Sequence, residues 1–305
     1  MKPPPFTYHR PAEVAEAVQL LADLHARGEL AKVLAGGQSL VPMLSMRLVS
    51  PAHVVDVGGL PGLDDVAVTG RRVSVGALVR HRALERHQPA HAVLPVLRQA
   101  LLQVAHPTIR NRGTVVGSLC HADPSAELPA VLSLLGGEVT ARSVRGERTV
   151  AAADLFVSPL ETSLTEDELA LAAHFPALPE GTGTSVVELA RRHGDYAVCG
   201  VVAAVTLDAD GRVAAARASY VSAGATLAPV DLLGPVEGVV PEDADWRASG
   251  ELARAAVATE DDLHASAAYR SRLVAVLTER ALRQAAKRAV APTGSSGAAA
   301  RGAAT

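Results

Sequence analysis

The chain has 305 residues, of which 49% are hydrophobic, 20% charged and 3% aromatic, and its formal net charge is -3. Such a composition is typical of a folded protein long enough for more than one domain. The slight negative charge and the scarcity of aromatic residues argue against nucleic acid as a partner, because nucleic-acid binding needs a basic surface and stacking side chains.

The opening sequence MKPPPFTYHRP lacks the apolar segment of a secretory signal, and no stretch is apolar enough to span a membrane. We therefore expect a cytoplasmic protein, with peripheral membrane association left open. The two cysteines, Cys120 and Cys199, lie far apart in the sequence. An iron-sulfur cluster or an all-cysteine zinc site needs four thiolates, so no metal site is predicted in this chain.

The first part of the chain predicts alternating helices and strands. Apolar residues recur at helical spacing over 11–27, and a glycine follows as a C-cap. Short apolar runs at 31–35 and 53–57 predict buried strands. Between them, after two glycines, Ser39 is placed to cap a helix that has Pro42 in its first turn. The opening is therefore predicted to be α-β-α-β.

The rest of the chain predicts a mixture of strands and helices. Residues 108–137 begin as a loop punctuated by glycines and end as a helix that two glycines stop. The segment 176–183 has the chemistry of a linker, and Asp208-Ala209-Asp210-Gly211 predicts a hairpin. Further strands are predicted at 71–78, 138–144, 168–175 and 184–190, and further helices at 92–105, 248–258 and 265–290.

Gly36 and Gly37 mark the first candidate binding site, in the sequence KVLAGGQSLVPML. A strand, a glycine turn and a helix N-terminus together form an anion site, because unpaired backbone N–H groups and the helix dipole point outward there. The dinucleotide fingerprint GxGxxG is absent, since its last glycine would fall at Val41. The alternative is that the two glycines only serve a tight turn between a strand and a helix.

The second candidate site is the segment TIRNRGTVVGSLCHADPSAELP, residues 108–129. It supplies hydroxyl, amide and carboxylate groups that suit the hydroxyls of a ribose or ribityl chain, namely Thr108, Asn111, Thr114, Ser118, Asp123 and Glu127. The alternative is capping, since Asp123-Pro124-Ser125 is a plausible start for the following helix. The pattern alone does not separate the two roles.

A third stretch, LARRHGDYAV at 189–198, looks by pattern alone like a solvated charge run. Tyr196 is the exception, since its ring is suited to contact a flat ligand. The motifs of metalloproteases, serine hydrolases and phosphate-binding loops are absent, and the histidines show no metal-ligand spacing.

These three stretches, in this order, resemble the FAD-binding medium subunit of the molybdenum hydroxylases, the family of aerobic carbon monoxide dehydrogenase and xanthine dehydrogenase. AGGQS at 35–39 is similar to the family's first flavin loop, AGG[HQ]S, and residues 108–129 are similar to its second. FVSPLETSLTEDEL at 156–169 and LARRHGDYAV are similar to its later signatures. The resemblance covers about residues 6 to 288.

The resemblance implies an α+β fold with a two-subdomain FAD-binding domain of the type found in vanillyl-alcohol oxidase relatives. A C-terminal α+β domain like that of carbon monoxide dehydrogenase flavoproteins would follow. The expected limits are 1–57 and 58–177 for the two subdomains and 184–290 for the C-terminal domain, with a disordered tail at 291–305.

FAD is the cofactor that the resemblance implies, extended between the two subdomains. Its diphosphate would lie on residues 36–40, its ribityl chain near Thr114, Ser118, Asp123 and Glu127, and its isoalloxazine beside Leu164 and Tyr196. The residues expected to bind it are Lys32, Val33, Leu34, Ala35, Gly36, Gly37, Gln38, Ser39, Leu40, Ile109, Thr114, Gly117, Ser118, His121, Asp123, Glu127, Leu164 and Tyr196.

Two positions depart from the family pattern. The family's TIGG here reads Thr114-Val115-Val116-Gly117, so a branched side chain replaces a glycine that lets backbone meet cofactor. Glu188 stands where the family often has a lysine, which would remove a cation near the pyrimidine end of the flavin and alter its redox potential.

The implied function is electron transfer, from two [2Fe-2S] clusters of a small subunit through FAD to an external acceptor. The substrate would be hydroxylated at a molybdopterin in a large subunit, within a heterohexamer of two large, two medium and two small subunits. This chain would carry no catalytic residue of its own. Two alternatives remain at this point: a scaffold subunit that binds flavin poorly, and a free-standing FAD reductase of related fold. The substrate and the electron acceptor are not encoded in this chain.

Overall fold

The computed structural model describes residues 2–224 and 227–290. Its first part is a three-stranded parallel sheet with strand order β1-β3-β2, flanked by helices. The elements are β1 (Thr7–His9), α1 (Val14–Ala26), β2 (Ala31–Leu34), α2 (Leu40–Ser45) and β3 (His53–Asp56). The predicted α-β-α-β order is confirmed, and β1 is an additional strand that is too short and too close to prolines to give a sequence pattern.

The helix α1 shows why these predictions held. It buries Ala17, Val18, Leu21 and Leu24, the stripe with helical spacing, and Gly28 follows it with φ of +68°. The two parallel pairings then bring the carboxyl ends of all three strands to one edge of the sheet, because Thr7 and Ala31 both lie opposite His53. Ligands of open parallel sheets bind at such an edge.

The second part of the chain is built on a five-stranded antiparallel sheet with strand order β4-β5-β10-β6-β7. Most helices of this part lie between β5 and β6 in the sequence, and two short strands, β8 and β9, pair as a separate sheet. The elements are β4 (Val66–Thr69), β5 (Arg72–Gly76), α3 (His81–Glu85), α4 (Gln88–Val93), α5 (Pro95–Leu101), α6 (Pro107–Arg110), α7 (Val115–His121), α8 (Glu127–Leu135), β6 (Glu138–Ser143), β7 (Gly146–Ala151), α9 (Ala152–Leu155), β8 (Phe156–Ser158), β9 (Glu161–Thr162) and β10 (Leu169–Pro176).

Residues 108–137 are more helical than the sequence predicts. The expected loop contains α6 and α7, which are short and separated by the turn at 111–114. The expected final helix is α8, and Gly136 ends it with φ of +63°, as predicted. Short helices of four and seven residues escape a sequence analysis based on periodicity, because they span only one or two turns.

The last part is a four-stranded antiparallel sheet, β11-β12-β13-β14, with two long helices and a short 3-10 helix. The elements are β11 (Thr182–Ala190), β12 (Ala197–Leu207), β13 (Val213–Val221), β14 (Val230–Asp231), the 3-10 helix Gly234–Val236, α10 (Trp246–Ala256) and α11 (Ala267–Arg288). The predicted hairpin joins β12 to β13, where Oδ1 of Asp208 accepts hydrogen bonds from the N–H groups of Asp210 and Arg212.

Two hydrophobic cores organise these elements. One core lies around the five-stranded sheet and α1, α5, α7 and α8, and it includes Val202, Ala204 and Val221 from one face of the last sheet. The other core lies between the opposite face of that sheet and α10 and α11, around Trp246. Strand β12 is therefore buried on both faces, which explains its continuous apolar sequence VCGVVAAVTL.

The predicted domain limits, 1–57, 58–177 and 184–290, stay predictions. The predicted tail, 291–305, lies outside the described residues. Among the helices that the structure describes, none is both long and apolar enough to cross a membrane.

Candidate functional site

A cavity of about 540 Å³ lies at the carboxyl edge of the parallel sheet. A residue just beyond each strand lines this cavity: Arg10 follows β1, Ala35 follows β2, and Gly58 lies two residues beyond β3. Residues from the second part of the chain close the opposite wall. The lining comprises Arg10, Leu34, Ala35, Gly36, Gly37, Gln38, Val41, Pro42, Asp56, Gly58, Arg80, Ile109 and Arg112.

The loop between β2 and α2 presents unpaired backbone donors to this cavity. From Gly36 to Leu40, no backbone N–H donates to an acceptor in the described part of the chain. The side chain of Gln38 turns back and donates to the carbonyl oxygen of Gly36 at 3.2 Å. Ser39 precedes α2 as predicted, but its hydroxyl makes no capping hydrogen bond. A row of free amides suits a group with several anionic oxygens.

Glycine is required in this loop for two different reasons. Gly37 has φ of +72°, a conformation that side chains disfavour. Gly36 instead lies directly against the second loop, since a Cβ there would be 2.6 Å from the carbonyl oxygen of Arg112 and 2.8 Å from the Cα of Gly113. The two candidate loops of the sequence therefore meet in space, and Gly36 is the contact point.

Three arginines surround the amides. Arg10, Arg80 and Arg112 all line the cavity, and Arg80 also donates to the carbonyl oxygen of Arg112. Asp56 lies among them and accepts hydrogen bonds from the hydroxyl of Tyr8 at 2.5 Å and from the N–H of Gly58 at 2.8 Å. The excess of positive charge favours an anion in this cavity.

Sequence reasoning missed these arginines and Asp56 as site residues. Arg10 and Asp56 can be recognised by position, because Arg10 follows β1, Asp56 is the last residue of β3, and these two strands run parallel. Because β1 was not predicted, the sequence did not indicate that Arg10 and Asp56 lie at the same edge of a sheet. Arg112 lies inside the predicted second loop, where only Asn111 was singled out.

The second loop wraps around the N-terminus of α7. Thr114 is 3% exposed, and its hydroxyl accepts a hydrogen bond from the N–H of Gly117 at 3.2 Å, so it caps the helix. Gly117 and Ser118 lie half-buried in the first turn, and a Cβ on Gly117 would be 4.0 Å from the Cβ of Ala35. This turn therefore lies next to the first loop.

His81 supports the second loop from below. Its backbone N–H donates to the carbonyl oxygen of Gly113 at 2.9 Å. Its ring packs against Gly113, since a Cβ on Gly113 would lie 3.1 Å from Nδ1 of His81. Burial lowers the pKa of His81 to about 4. The imidazole is therefore neutral near pH 7 and adds no charge beneath the loop.

Asp123 and Glu127 lie at the end of the second loop. Asp123 does not cap the following helix, because α8 begins at Glu127 with Ala126 before it; instead its Oδ1 accepts a hydrogen bond from the N–H of Ser125 at 2.8 Å. Burial, followed by the charge of Glu188, raises the pKa of Glu127 to about 8. The alternative that Asp123 starts the following helix as its cap is therefore wrong.

Tyr196 lies close to these two carboxyl groups. Desolvation of its hydroxyl, followed by the charges of Asp123 and Glu127, raises the pKa of Tyr196. The residue as a whole is 69% exposed, so most of its ring is accessible to a flat ligand or a partner protein. Leu164 is half-buried and packs against the first core.

The predicted binding residues thus form two groups and a remainder. Leu34, Ala35, Gly36, Gly37, Gln38 and Ile109 line the cavity, with Ser39 and Leu40 continuing its amide row. Asp123, Glu127 and Tyr196 form a second group at the far end of α7. In the remainder, Thr114, Gly117 and Ser118 lie at the start of α7, and Leu164 packs against the first core. Lys32 is exposed and Val33 packs against the first core, and neither lines the cavity. His121 is half-buried and is the last residue of α7. Their roles in binding stay predictions.

Val116, the departure from the family's glycine pattern, is 2% exposed and packs in the first core. Its side chain occupies the interior and not the cavity wall. The branched residue is therefore accommodated by the core, and the main sequence argument for a subunit that binds flavin poorly loses its structural basis.

The residues of this site fit a dinucleotide with a diphosphate linker. The free amides of 36–40 and the three arginines match the charge of the linker, and Gly36 and Gly37 keep the approach open. The acidic and hydroxyl groups at the far end of α7 offer both donors and acceptors, as a polyhydroxyl chain needs. No group of metal-ligating side chains occurs within residues 2–224 and 227–290.

Comparison with known proteins identifies two domain families in the chain. The model of the FAD binding domain in molybdopterin dehydrogenase matches residues 4–178, and that of the CO dehydrogenase flavoprotein C-terminal domain matches residues 185–285. The fold class predicted from the sequence is confirmed by these two matches.

Two curated relatives come from Paenarthrobacter nicotinovorans. The 6-hydroxypseudooxynicotine dehydrogenase complex subunit alpha is 40% identical, over 95% of this chain and 97% of the relative. The nicotine 6-hydroxylase medium subunit is 38% identical, over 94% of this chain and 100% of the relative. Among solved structures, reconstituted CO dehydrogenase from Oligotropha carboxidovorans has a TM-score of 0.87 at 32% identity, over 95% of this chain and 100% of the matched chain.

The two family models together cover nearly all of the described residues, and the relatives align along almost their whole length. The glycine loop, its free amides and the second loop lie within the matched FAD-binding region. The chain therefore belongs to the FAD-binding medium subunits of the molybdenum hydroxylase family, which are oxidoreductase subunits.

Proposed function

We propose that this chain is an electron-transfer subunit that passes electrons from partner [2Fe-2S] clusters through FAD to an external acceptor. The observation that carries the proposal is the row of free amides from Gly36 to Leu40, set among Arg10, Arg80 and Arg112 at the carboxyl edge of a parallel sheet. Such a site is built to hold a diphosphate.

The proposed position of FAD follows the two groups of residues. Its diphosphate lies on the amides of 36–40, and its ribityl chain runs along the start of α7 past Thr114 and Ser118 towards Asp123 and Glu127. The isoalloxazine then lies between Leu164 and Tyr196. Support comes from the contact of Gly36 with residues 112–114, which brings the first loop next to the start of α7.

The chain's own residues bind and orient in this proposal. The amides and arginines neutralise the diphosphate, and the hydroxyl and carboxyl groups near α7 fix the ribityl chain. Tyr196 covers one side of the ring system and limits access of water. FAD, when bound, supplies the electron chemistry itself, and the protein tunes it through the charges nearby.

The proposed partners are a large molybdopterin subunit and a small [2Fe-2S] subunit, in a heterohexamer that contains two copies of each of the three chains. With only two cysteines, this chain does not supply the four thiolates of a cluster. The two relatives from Paenarthrobacter nicotinovorans are named as subunits, which supports assembly with other chains.

A matched pair of arginine variants tests the FAD site. Arg112→Gln removes a cavity cation, whereas Arg247→Gln removes an exposed arginine of α10. We expect the first to raise the dissociation constant for FAD about tenfold or more, since a charge-assisted hydrogen bond contributes roughly 1.5–3 kcal/mol, and the second to leave it unchanged. Equal affinities in both variants, measured by quenching of FAD fluorescence, would show that the diphosphate lies elsewhere.

Electron transfer is tested in the assembled complex. The chain is coexpressed with its large and small subunits, and FAD is removed and then restored. We expect loss of FAD to abolish reduction of the natural acceptor while an artificial dye still accepts electrons from the clusters. Unchanged reduction of the natural acceptor without FAD contradicts the proposal. Copurification with both partners separates this function from that of a free-standing reductase.

A further inference from the structure

Glu188 has an unusual position on the last sheet. It lies on β11 opposite Gly200 of β12, and Val221 of β13 lies opposite Gly200 on the other side. A Cβ at position 200 would be 2.8 Å from the Cγ of Glu188, so the glutamate side chain lies over the glycine. Its Oε1 is closed off from solvent and has no hydrogen-bond partner among the described residues. A charge at such an atom is costly.

Glu127 lies in the helical layer that packs on this face of the sheet, where the Glu188 side chain covers Gly200. It is the first residue of α8, which packs on β12 and β13. Burial and then the charge of Glu188 raise the pKa of Glu127 to about 8, and burial raises that of Glu188 to about 7. The N-terminus of α8 favours the ionised form of Glu127, but this effect is smaller than the effects that raise its pKa. Two neighbouring buried carboxyl groups do not both ionise easily.

The other titratable groups near the pair do not neutralise it. Asp123, on the segment before α8, adds a further negative charge, and Tyr196 carries no charge at neutral pH, since desolvation raises its pKa above an already high ordinary value. Cys199 of β12 is also protonated, since burial raises its pKa to about 12. No cation is contributed by these three side chains.

The two nearby arginines are engaged with other partners. Nε of Arg110 donates to Glu85 at 2.8 Å and its Nη1 donates to backbone carbonyl oxygens. Nη2 of Arg270 donates to Asp262 at 2.6 Å, and its other nitrogens also donate to carbonyl oxygens. Each guanidinium already has its own partners and does not pair with Glu127 or Glu188. Retaining a proton is therefore the way in which the two glutamates reduce their buried negative charge.

We propose that Glu127 and Glu188 share one proton at neutral pH and that loss of this proton weakens FAD binding, an inference that rests on the proposed function. The protonated carboxyl group donates a hydrogen bond to a hydroxyl or carbonyl of the ligand, which a carboxylate does not do. Deprotonation also adds a negative charge near an anionic ligand. The proton belongs to the pair, so neither glutamate titrates independently.

Infrared spectroscopy of the full chain tests the shared proton directly. The C=O stretch of a protonated carboxyl group is expected in the wild-type chain at neutral pH and is lost between about pH 6 and pH 9. In Glu188→Gln the loss moves to lower pH, because the charge that raises the pKa of Glu127 is gone. In the double variant Glu127→Gln/Glu188→Gln the band is absent. A band that persists in the double variant, or that is missing in the wild type, overturns the shared proton.

Titration with FAD tests the coupling. For the wild type we expect the dissociation constant to rise with pH by up to tenfold per unit across the same range, the limit for one proton. It stays nearly constant in Glu188→Gln, whereas Glu242→Gln, at an exposed site of equal charge change, behaves like the wild type. A pH-independent wild-type affinity overturns the coupling. Absence of FAD binding at every pH, with the infrared band as expected, refutes the proposed function and leaves the shared proton standing.

Discussion

Arg110, inside the second flavin loop, is predicted to stabilise the fold and not to contact FAD. Its guanidinium and the carboxylate of Glu85 are each 7% exposed, and Nε of Arg110 lies 2.8 Å from Oε2 of Glu85. Nη1 also donates to the carbonyl oxygens of Val104 and Ala105 at 2.8 and 3.1 Å. The arginine thus connects α6 to α3 and to the segment that follows α5.

Removing Arg110 leaves the charge of Glu85 buried with one remaining ion partner, Arg82. Removing one partner of a buried ion pair lowers the free energy of unfolding by about 3–5 kcal/mol. Because Glu85 keeps its contact with Arg82, we expect the loss for Arg110→Met to lie near the lower end of this range. Unfolding by urea should show this loss, and the melting temperature should fall by roughly 6–12 °C, given about 2–4 °C per kcal/mol for a chain of this size class.

Two further variants make the result decisive. Glu85→Gln combined with Arg110→Met removes the uncompensated charge and should recover part of the loss. Arg283→Met, whose ion pair with Glu279 on α11 is half-exposed, should cost less than about 1 kcal/mol. If Arg110→Met costs no more than Arg283→Met, or if the double variant is no more stable than the single one, the buried pair does not anchor the loop.

Three other outcomes follow from the structure. Gly37→Ala should lower the free energy of unfolding by about 1–2 kcal/mol and reduce bound FAD, because φ is +72° and a Cβ would lie 3.2 Å from Leu34. An unchanged midpoint of urea unfolding would contradict the strained turn. The raised pKa values of Glu127 and Glu188 contribute stability that is present below about pH 4.5 and lost as the pH rises through about 7 to 8. The wild type should therefore lose stability across that range in urea titrations and Glu188→Gln should lose less, while parallel curves would argue against the pair. Cys199, which is buried and whose pKa burial raises to about 12, should react with iodoacetamide only after unfolding, and fast labelling of Cys199 in the folded chain would show that it is accessible.

The sequence predicted most of the long elements because their patterns are strong. The helix α11 and the buried strand β12 are long and apolar on the faces they bury, and the hairpin between β12 and β13 carries its own turn residues. The short elements β1, α6 and α7 were missed, because three to seven residues give too little periodicity and their positions depend on contacts from distant parts of the chain.

The candidate site shows the same division. The glycine loop was predictable, because a strand, two glycines and a helix start form a local pattern. Arg10 and Arg80 were not, because they reach the cavity only through the parallel pairing of β1 and through the second part of the chain. Glu188 was noticed only as a departure from the family, and its proximity to Glu127 depends on how α8 packs on the last sheet.

The two flavin loops are mechanically dependent on each other in this fold. Gly36 lies against the backbone of 112–114, so the free amides of the first loop keep their direction only while the second loop keeps its place. That place is fixed by the buried pair of Arg110 and Glu85 and by the hydrogen bond from His81 to Gly113. A substitution at Arg110, which does not line the cavity, should therefore weaken FAD binding along with stability, whereas Arg112→Gln should weaken binding alone. Measuring both quantities for the two variants separates the residue that anchors the loop from the residue that meets the cofactor.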